Sequence, residues 1–393
     1  MKGQISLLEE AKKLESELIA WRRDFHQYPE LGFEENRTSA LVADFLESLN
    51  LEVKRNVAGT GVIGLLRGNT DGPTIALRAD IDALPIFDEK DTEYCSKNEG
   101  KCHACGHDAH TAILMGVAKL LSDQGIKKGN VKFVFQPAEE DGGGAQAMIE
   151  AGVLQNPEVS AIAGLHVNTG IGIGNITLSS EPVGCGAADF FSLAVIGQGG
   201  HAAHPHMSVD SIAVAGQLLS ALQHISSRQV DPTDPIVITV GSIHGGTASN
   251  VIAPRVEMTG TARTLNPELR KRIPGKMEKI IKGVTEAYGA SYDFDFQFKY
   301  PSILNDEQMT ELAAFTADQV LGEKHYKKVK PAMGGEDFSF YTELIPAVFF
   351  RLGVGSDKIV RYPGHHPKFD IDEKALPYGS AMLAQLALNY LNR

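Results

Sequence analysis

The chain has 393 residues, of which 43% are hydrophobic and 22% are charged. It is therefore long enough for two or three domains with a sizeable core, and disorder, collagen and coiled coil are excluded as its main structure. Its 49 acidic and 37 basic residues give a net charge of −12, which disfavours nucleic acid and anionic membrane surfaces as partners.

Helical and strand patterns alternate through the first 180 residues. Amphipathic helices are predicted over 7–27, 36–49, 111–121 and 145–151, and buried strands over 62–66, 74–77, 131–135 and 161–166. This alternation predicts βαβ units and an α/β domain with a mostly parallel sheet. The N-terminal segment lacks the apolar run of a signal peptide and no window of 18 apolar residues predicts a membrane span, so we expect a cytoplasmic protein.

The pattern changes near residue 184. Strands over 187–196, 236–243, 255–263 and 291–298 and helices over 211–230 and 267–287 follow in the order β-α-β-β-α-β, which is typical of a small split βαβ sandwich. The α/β pattern returns after residue 300. We therefore predict a discontinuous catalytic domain, 1–184 and 299–393, with a smaller α+β domain inserted at 185–298.

The densest chemical signal is a run of histidines around a thiol at 103–110, just before a predicted helix. Cys105 and His107 are separated by Gly106 alone, so a turn there could direct both side chains at one ion. Thiolate and imidazole together suit zinc or another borderline transition metal. The other interpretations are a histidine-rich loop without an ion and a nucleophilic Cys105 beside a histidine.

Two adjacent carboxylates, Glu139 and Glu140, follow the apolar strand predicted over 131–135. Ligands of open α/β sheets bind at the carboxyl ends of the strands. One carboxylate could bind metal while the other serves as a general base. A solvated acidic loop is the simpler alternative.

Further candidates lie apart in the sequence. His166 ends the apolar run 161–165, and His365 and His366 are adjacent near the C-terminus. His166 and His365 would complete a two-metal site together with Cys105, His107 and Glu140. In the predicted inserted domain, the polar residues His201, Asn250 and Arg263 could bind the anionic end of a substrate, with the Arg fork on a carboxylate, or could be ordinary surface residues.

In combination, six motifs give the chain a strong likeness to a known group of enzymes. They are RRDFHQYPELG at 22–32, LRADIDALP at 77–85, HACGHD at 103–108, QPAEE at 136–140, GHAA at 200–203 and GGEDF at 334–338. The chain resembles the metal-dependent amidohydrolases of the aminoacylase and carboxypeptidase superfamily. Within it, the likeness is to the branch of hippurate hydrolases, auxin-conjugate hydrolases, N-acetyldiaminopimelate deacetylases and thermostable carboxypeptidases.

The resemblance implies a phosphorylase/hydrolase-like α/β domain with an inserted lid domain that often dimerises, hence a homodimer or homotetramer. It implies two divalent ions per subunit, zinc, manganese, cobalt or nickel, held by Cys105, His107, Glu140, His166 and His365. It also implies that Glu139 is the catalytic base, that His201 steadies the oxyanion, and that Asn250 and Arg263 bind the substrate carboxylate. One departure is Asp80-Ile81-Asp82, where many members carry a ligand histidine.

These observations predict a metal-dependent amidohydrolase that cleaves N-acyl-L-amino acids, or short peptide-like amides, to an acid and an amino acid. The alternatives within enzymes are a metallo-aminopeptidase or dipeptidase, a carboxypeptidase on short peptides, and a cysteine-nucleophile hydrolase. A non-catalytic metal-binding module is disfavoured because it would have no need of Glu139.

Overall fold

The computed structural model describes residues 6–140 and 142–393. In chain order, the helices of this part are α1 (Leu7–Lys13), α2 (Glu15–Gln27), α3 (Asn36–Ser48), α4 (His107–Gln124), α5 (Gly144–Glu150), α6 (Ser211–His224), α7 (Pro267–Ala287), α8 (Glu307–Leu321), α9 (Ser339–Thr342) and α10 (Leu376–Leu391). The strands are β1 (Glu52–Val57), β2 (Gly61–Arg67), β3 (Thr70–Asp80), β4 (Lys128–Gln136), β5 (Ala161–Gly172), β6 (Ile176–Ser179), β7 (Val183–Cys185), β8 (Ala187–Ile196), β9 (Gly200–His201), β10 (Ile236–Gly245), β11 (Val251–Ile252), β12 (Arg255–Thr264), β13 (Ser291–Tyr300), β14 (Ile303–Leu304), β15 (Tyr326–Val329) and β16 (Ala347–Gly355).

The chain divides into two compact units. Unit 1 contains the described residues up to Gly184 together with Leu304–Lys330 and Asp337–Arg393. Unit 2 contains Cys185–Ile303 and Pro331–Glu336.

Unit 1 is built on a large sheet with the strand order β1-β2-β4-β3-β5-β16-β6-β15. Its centre is parallel: β3 pairs in parallel with β4 and β5, and β5 with β16. Strand β2 runs antiparallel to β1 and β4, and β6 runs antiparallel to β16. The predicted α/β class with a mostly parallel central sheet is confirmed.

Helix α4 lies at the core of unit 1. It is buried along nearly its whole length, as expected of a helix that is apolar on all sides, and it packs against α2, α10 and β3. Strands β3 and β4 end at Asp80 and Gln136, so the residues that follow them lie at the same edge of the sheet. This edge carries most of the candidate site.

Unit 2 is a four-stranded antiparallel sheet, in the order β10-β12-β8-β13, with α6 and α7 packed on it. Residues on β12 alternate between buried and exposed because one face of the strand lies under the helices. The predicted order β-α-β-β-α-β is present. A separate two-stranded ribbon pairs β9 with β11.

Several predicted boundaries were wrong. The single helix predicted over 7–27 is two helices, because Leu14 N donates to Ala11 O at 3.0 Å and closes a tighter turn between them. The helix predicted over 211–230 ends as an α-helix at His224 and continues as a π-helical turn, Ile225–Gln229. Helix α4 begins at His107, four residues before the predicted start. Among residues 6–140 and 142–393, no helix combines the length and apolar character needed to cross a membrane.

Candidate metal centre

The turn before α4 carries two of the predicted ligands. Gly106 has φ 91°, and a Cβ on it would lie 2.4 Å from Val167 Cγ2. Only glycine fits this position without displacing its neighbour. The turn leaves Cys105 on one side and His107, the first residue of α4, on the other.

His107 is buried and oriented through one ring nitrogen. Its Nδ1 lies 3.0 Å from both the backbone oxygen and Oδ1 of Asp82, so Nδ1 carries the proton and donates. Its Nε2 has no hydrogen-bond partner in the part of the chain that is described. A buried imidazole nitrogen without a hydrogen-bond partner, on a ring held by a carboxylate, is the arrangement expected of a metal ligand.

Asp82 also holds the backbone of Glu140, the second residue of the Glu pair. Glu140 N donates to Asp82 Oδ2 at 2.9 Å. Glu140 Oε1 then lies 3.2 Å from His365 Nε2 and 3.9 Å from His107 Nε2. One aspartate therefore orients two predicted ligands from different elements.

His166 lies on β5, in register with Arg351 of β16. Its Nδ1 is 2.7 Å from Val167 O, so this nitrogen donates, and its Nε2 is 3.2 Å from Cys105 Sγ. Burial, with a further contribution from the positive charge of Arg351, holds the pKa of His166 well below its usual range. The ring is therefore neutral, as a metal ligand must be.

His365 reaches the same place from the C-terminal segment. It adopts φ 65°, and its N–H donates to Ala104 O at 2.8 Å, which ties this segment to the residue before Cys105. The neighbouring His366 instead stacks on Tyr362, with ring centroids 4.3 Å apart.

Glu139 is nearly buried beside this group. Its Oε1 accepts a hydrogen bond from Asp337 N at 3.3 Å. The side chain of Asp337 is held in turn by Arg78 Nη2 at 2.7 Å and by the amide of Gln136. Glu139 thus belongs to a buried, rigid polar network.

The donor atoms fit divalent cations. Three of the groups whose donor atoms lie within 4.8 Å of one another consist of the predicted ligands and Glu139: Cys105, His107 and His166; Cys105, Glu140 and His365; and His107, Glu139 and Glu140. Sulfur, imidazole and carboxylate donors at such spacing suit zinc and related transition metals. Burial raises the pKa of the Cys105 thiol to about 12, with Glu140 adding to the shift, and a cation would reverse this balance by favouring thiolate.

The sequence assigned no role to the residues that support the predicted ligands and their neighbours through hydrogen bonds. Besides Asp82, they include Asp80, whose Oδ1 lies 2.5 Å from His110 Nδ1 while Arg78 Nη1 lies 2.6 Å from its Oδ2. These residues belong to the motif at 77–85, which was noted only for the resemblance. Its alternating charged and apolar residues at the end of a buried strand were the available signal.

A second cluster, near Cys102, needs no metal to balance its charge. His26, Asp88 and Cys102 have donor atoms within 4.8 Å of one another. Lys90 Nζ, however, lies 2.8 Å from Asp88 Oδ1 and 3.7 Å from Cys102 Sγ, so an ammonium already supplies positive charge. Burial raises the pKa of Cys102 to about 12, which keeps this thiol protonated.

The three remaining predicted residues lie in unit 2. His201 on β9 is exposed and faces Val251 in the ribbon register, next to Asn250, whose backbone oxygen accepts from Ala202 N at 3.1 Å. Ala203 N donates to His201 Nδ1 at 3.0 Å, so the ring proton is on Nε2. Arg263 lies on β12, with its guanidinium beside Gly335.

Comparison with known proteins identifies the family. The chain is 39% identical over 379 residues to N-acetylcysteine deacetylase of Bacillus subtilis, covering 96% of this chain and 97% of the relative. It is 37% identical over 393 residues to thermostable carboxypeptidase 2 of Saccharolobus solfataricus, covering 98% of each. The crystal structure of the YXEP protein of Bacillus subtilis, a dinuclear metal-binding peptidase from the M20 family, matches 97% of this chain and 99% of its own with a TM-score of 0.85 and 36% identity. The model of peptidase family M20/M25/M40 matches residues 76–389, and the chain therefore belongs to that family.

Proposed function

We propose that the chain is a metal-dependent amidohydrolase that cleaves N-acyl-L-amino acids, with two divalent cations at the centre described above and Glu139 as general base. The observation that carries this proposal is the unpartnered, buried Nε2 of His107, which lies among thiol, imidazole and carboxylate donors next to Glu139. The likeness to a deacetylase of an N-acyl amino acid supports the substrate class.

Cys105, His107, Glu140, His166 and His365 would hold the cations, which would be zinc, manganese, cobalt or nickel. Bound there, divalent cations would lower the pKa of a coordinated water and polarise the amide carbonyl. The orientation of the ligands is supplied by the chain itself, because Asp82 fixes His107 and Glu140 while Val167 O fixes His166.

Glu139 moves the proton. Its carboxylate takes a proton from the attacking water and returns it to the leaving nitrogen, so that the amine departs neutral. The hydrogen bond from Asp337 N to Oε1 helps to hold this carboxylate in place.

In this proposal, residues of unit 2 bind the substrate. His201 carries its proton on Nε2, since Nδ1 accepts from Ala203 N, and this N–H would donate to the oxyanion of the tetrahedral intermediate. Asn250 and Arg263 would bind the substrate carboxylate. In this proposal the segments 1–184 and 299–393 form the catalytic domain, and 185–298 serves as lid and dimerisation domain.

Three other enzyme functions are the alternatives to this one. Hydrolysis of short peptides by a carboxypeptidase is favoured by the likeness to a thermostable carboxypeptidase. An aminopeptidase or dipeptidase would need an acid reserved for the substrate amine. Hydrolysis through a Cys105 nucleophile has the 3.2 Å contact with His166 in its favour, but the same sulfur is grouped with Glu140 and His365.

The substrate proposal is tested by hydrolysis rates over N-acetyl, N-benzoyl and N-carbobenzoxy amino acids and unblocked dipeptides, each with a defined metal. We expect N-acyl amino acids to be cleaved with higher kcat/KM than unblocked dipeptides. Faster cleavage of dipeptides would assign the chain to the peptidase alternative. A chelator distinguishes the metal-dependent mechanism from hydrolysis through a Cys105 nucleophile, because only the metal-dependent enzyme would lose activity. A thiol alkylator does not distinguish them, because alkylation of Cys105 would inactivate the enzyme in both cases. A cytoplasmic location and a homodimer or homotetramer stay predictions.

A further inference from the structure

The backbone that leads into Glu139 has an uncommon conformation. Ala138 is buried and has φ 51°, a region that residues with a Cβ rarely adopt. Its carbonyl oxygen accepts from Gly144 N at 3.2 Å, and a Cβ at Gly144 would lie only 1.7 Å from Pro137 O. The segment is therefore pressed against the start of α5, and the direction of Glu139 depends on what holds the Ala138 peptide.

Glu35 holds the N–H of that peptide. Its Oε1 accepts from Ala138 N at 2.9 Å, and its Oε2 accepts from Thr60 Oγ1 at 2.5 Å. The side chain of Glu35 is fully buried. A carboxylate more than one hundred residues away in sequence is thus the acceptor for the residue next to Glu139.

The anchor of Glu35 is itself rigid. Glu35 immediately precedes α3, and Ser39 N in the first turn donates to Glu35 O at 2.9 Å. The hydroxyl of Ser39 donates to Thr60 O, so the helix and the residue before β2 are tied together around the carboxylate. Movement of Glu35 would require movement of both elements.

Burial of a carboxylate costs free energy, so general packing does not favour an acid here. A neutral or apolar side chain would fill the same space more cheaply. What the position demands is an acceptor aimed at Ala138 N.

We propose that Glu35 is a positioning residue for amide hydrolysis, which sets the direction of the Glu139 carboxylate by holding the Ala138 peptide. This inference rests on the proposed role of Glu139 as general base. A misplacement of about 1 Å in a catalytic group can cost on the order of 10²-fold in rate.

The test compares Glu35→Gln with Glu35→Met. Gln keeps Oε1 as the acceptor for Ala138 N, and its amide can donate to Thr60 Oγ1. Met keeps the length of the side chain and has no such acceptor. We expect kcat within about threefold of wild type for Gln and roughly 10–10² lower for Met, with KM changed by less than about twofold.

Two further readouts do not depend on activity. Metal content per chain should be equal in wild type and both variants, because no proposed ligand is changed. Hydrogen exchange of the segment 137–140 should be faster in Glu35→Met and unchanged in Glu35→Gln. If Glu35→Met does not fold, Glu35→Asp serves instead: it draws the acceptor back by one methylene, and we expect the same direction of change in kcat and exchange.

Glu30→Met is the matched control. Glu30 accepts from Arg37 N at 2.9 Å and from Thr38 N at 2.8 Å, in the first turn of the same helix. Loss of the Glu30 carboxylate should lower the melting temperature and leave kcat within about threefold of wild type, since the contact of Glu35 with Ala138 N is kept.

Wild-type kcat in Glu35→Met, or an equal loss of kcat in Glu35→Gln and Glu35→Met, would overturn the positioning role. Full activity in Glu139→Gln would instead overturn the proposed base, so the two failures are distinguishable. Loss of metal from Glu35→Met would also contradict the inference, since the residue would then act through the ligands and not through Glu139.

Discussion

Asp82 accepts a hydrogen bond from His107 Nδ1 at 3.0 Å, which leaves the other ring nitrogen, buried and unpartnered among the described residues, facing the donor cluster. The aspartate contributes no ligand in our account. It selects the tautomer and the ring orientation of His107, which is a proposed ligand.

The variant Asp82→Ala should therefore bind metal about 10–100 times more weakly, because supporting partners of ligating histidines carry effects of this size. Affinity is measured by competition with a chromophoric chelator. Asp71→Ala is the control, since Asp71 is exposed at the start of β3, the strand that precedes Asp82. Equal affinities in the two variants would mean that Asp82 does not orient a ligand.

Glu139→Gln should retain its metal and lose about 10²–10⁴-fold in kcat, as expected when a general base is removed. Glu140→Gln should instead lower the metal content, because a proposed ligand loses its charge. Both are measured by elemental analysis and steady-state kinetics on the same preparations. If the two variants exchanged phenotypes, the assignment of base and ligand would be reversed.

His201→Ala should lower kcat roughly 10²–10³-fold with unchanged metal content, since it removes one donor to the oxyanion. His204→Ala is the control, because that ring is also exposed and lies 5.6 Å from His201, centroid to centroid. Partial activity on mixing His201→Ala with Glu139→Gln chains would show that the donor comes from a partner subunit. Wild-type kcat in His201→Ala would remove the residue from the mechanism.

Stability should depend on pH through Glu35. Burial, only partly offset by the Thr60 hydrogen bond, raises the pKa of Glu35 from 4.5 to about 7. Between these values the folded state binds more protons than the unfolded state, so protonation of Glu35 favours folding. This contribution to the free energy of unfolding is complete below pH 4.5 and is lost as the pH rises through 7. Glu35→Gln lacks this titration.

From pH 4 to pH 8, wild type should therefore lose stability relative to Glu35→Gln by on the order of 3 kcal/mol, at about 1.4 kcal/mol per pH unit. The free energy of unfolding is measured by urea denaturation at each pH. Glu34→Gln, at an exposed neighbour, should follow wild type. Parallel curves for wild type and Glu35→Gln would contradict the raised pKa.

The sequence predicted the central features of the site because they are local. The spacing of Cys105 and His107 around one glycine, and the Glu pair after β4, are short patterns whose chemistry can be recognised directly. The meeting of His365 with Glu140 could be expected only from the resemblance, since it depends on how distant segments of the chain pack. The support from Asp82 and Glu35 was not predicted, because an isolated carboxylate in a sequence gives no sign of which backbone N–H it will accept.

The missed elements share a physical cause. Strand β1, with the sequence EVKRNV, lies at the edge of the sheet and is mostly exposed, so it lacks the apolar run used to predict buried strands. Strand β15 at the opposite edge is likewise charged and exposed. The early start of α4 was missed because His107 and Asp108 are polar, yet both are buried in the folded chain.

The central claim, that the described donor cluster makes this chain a metal-dependent hydrolase, is tested most directly by titrating metal-depleted protein with Zn²⁺, Mn²⁺, Co²⁺ or Ni²⁺ while hydrolysis of an N-acyl amino acid is followed. We expect no turnover in the depleted protein and a rise in rate that saturates near two equivalents per chain. Full activity in protein shown by elemental analysis to be free of metal would contradict the account.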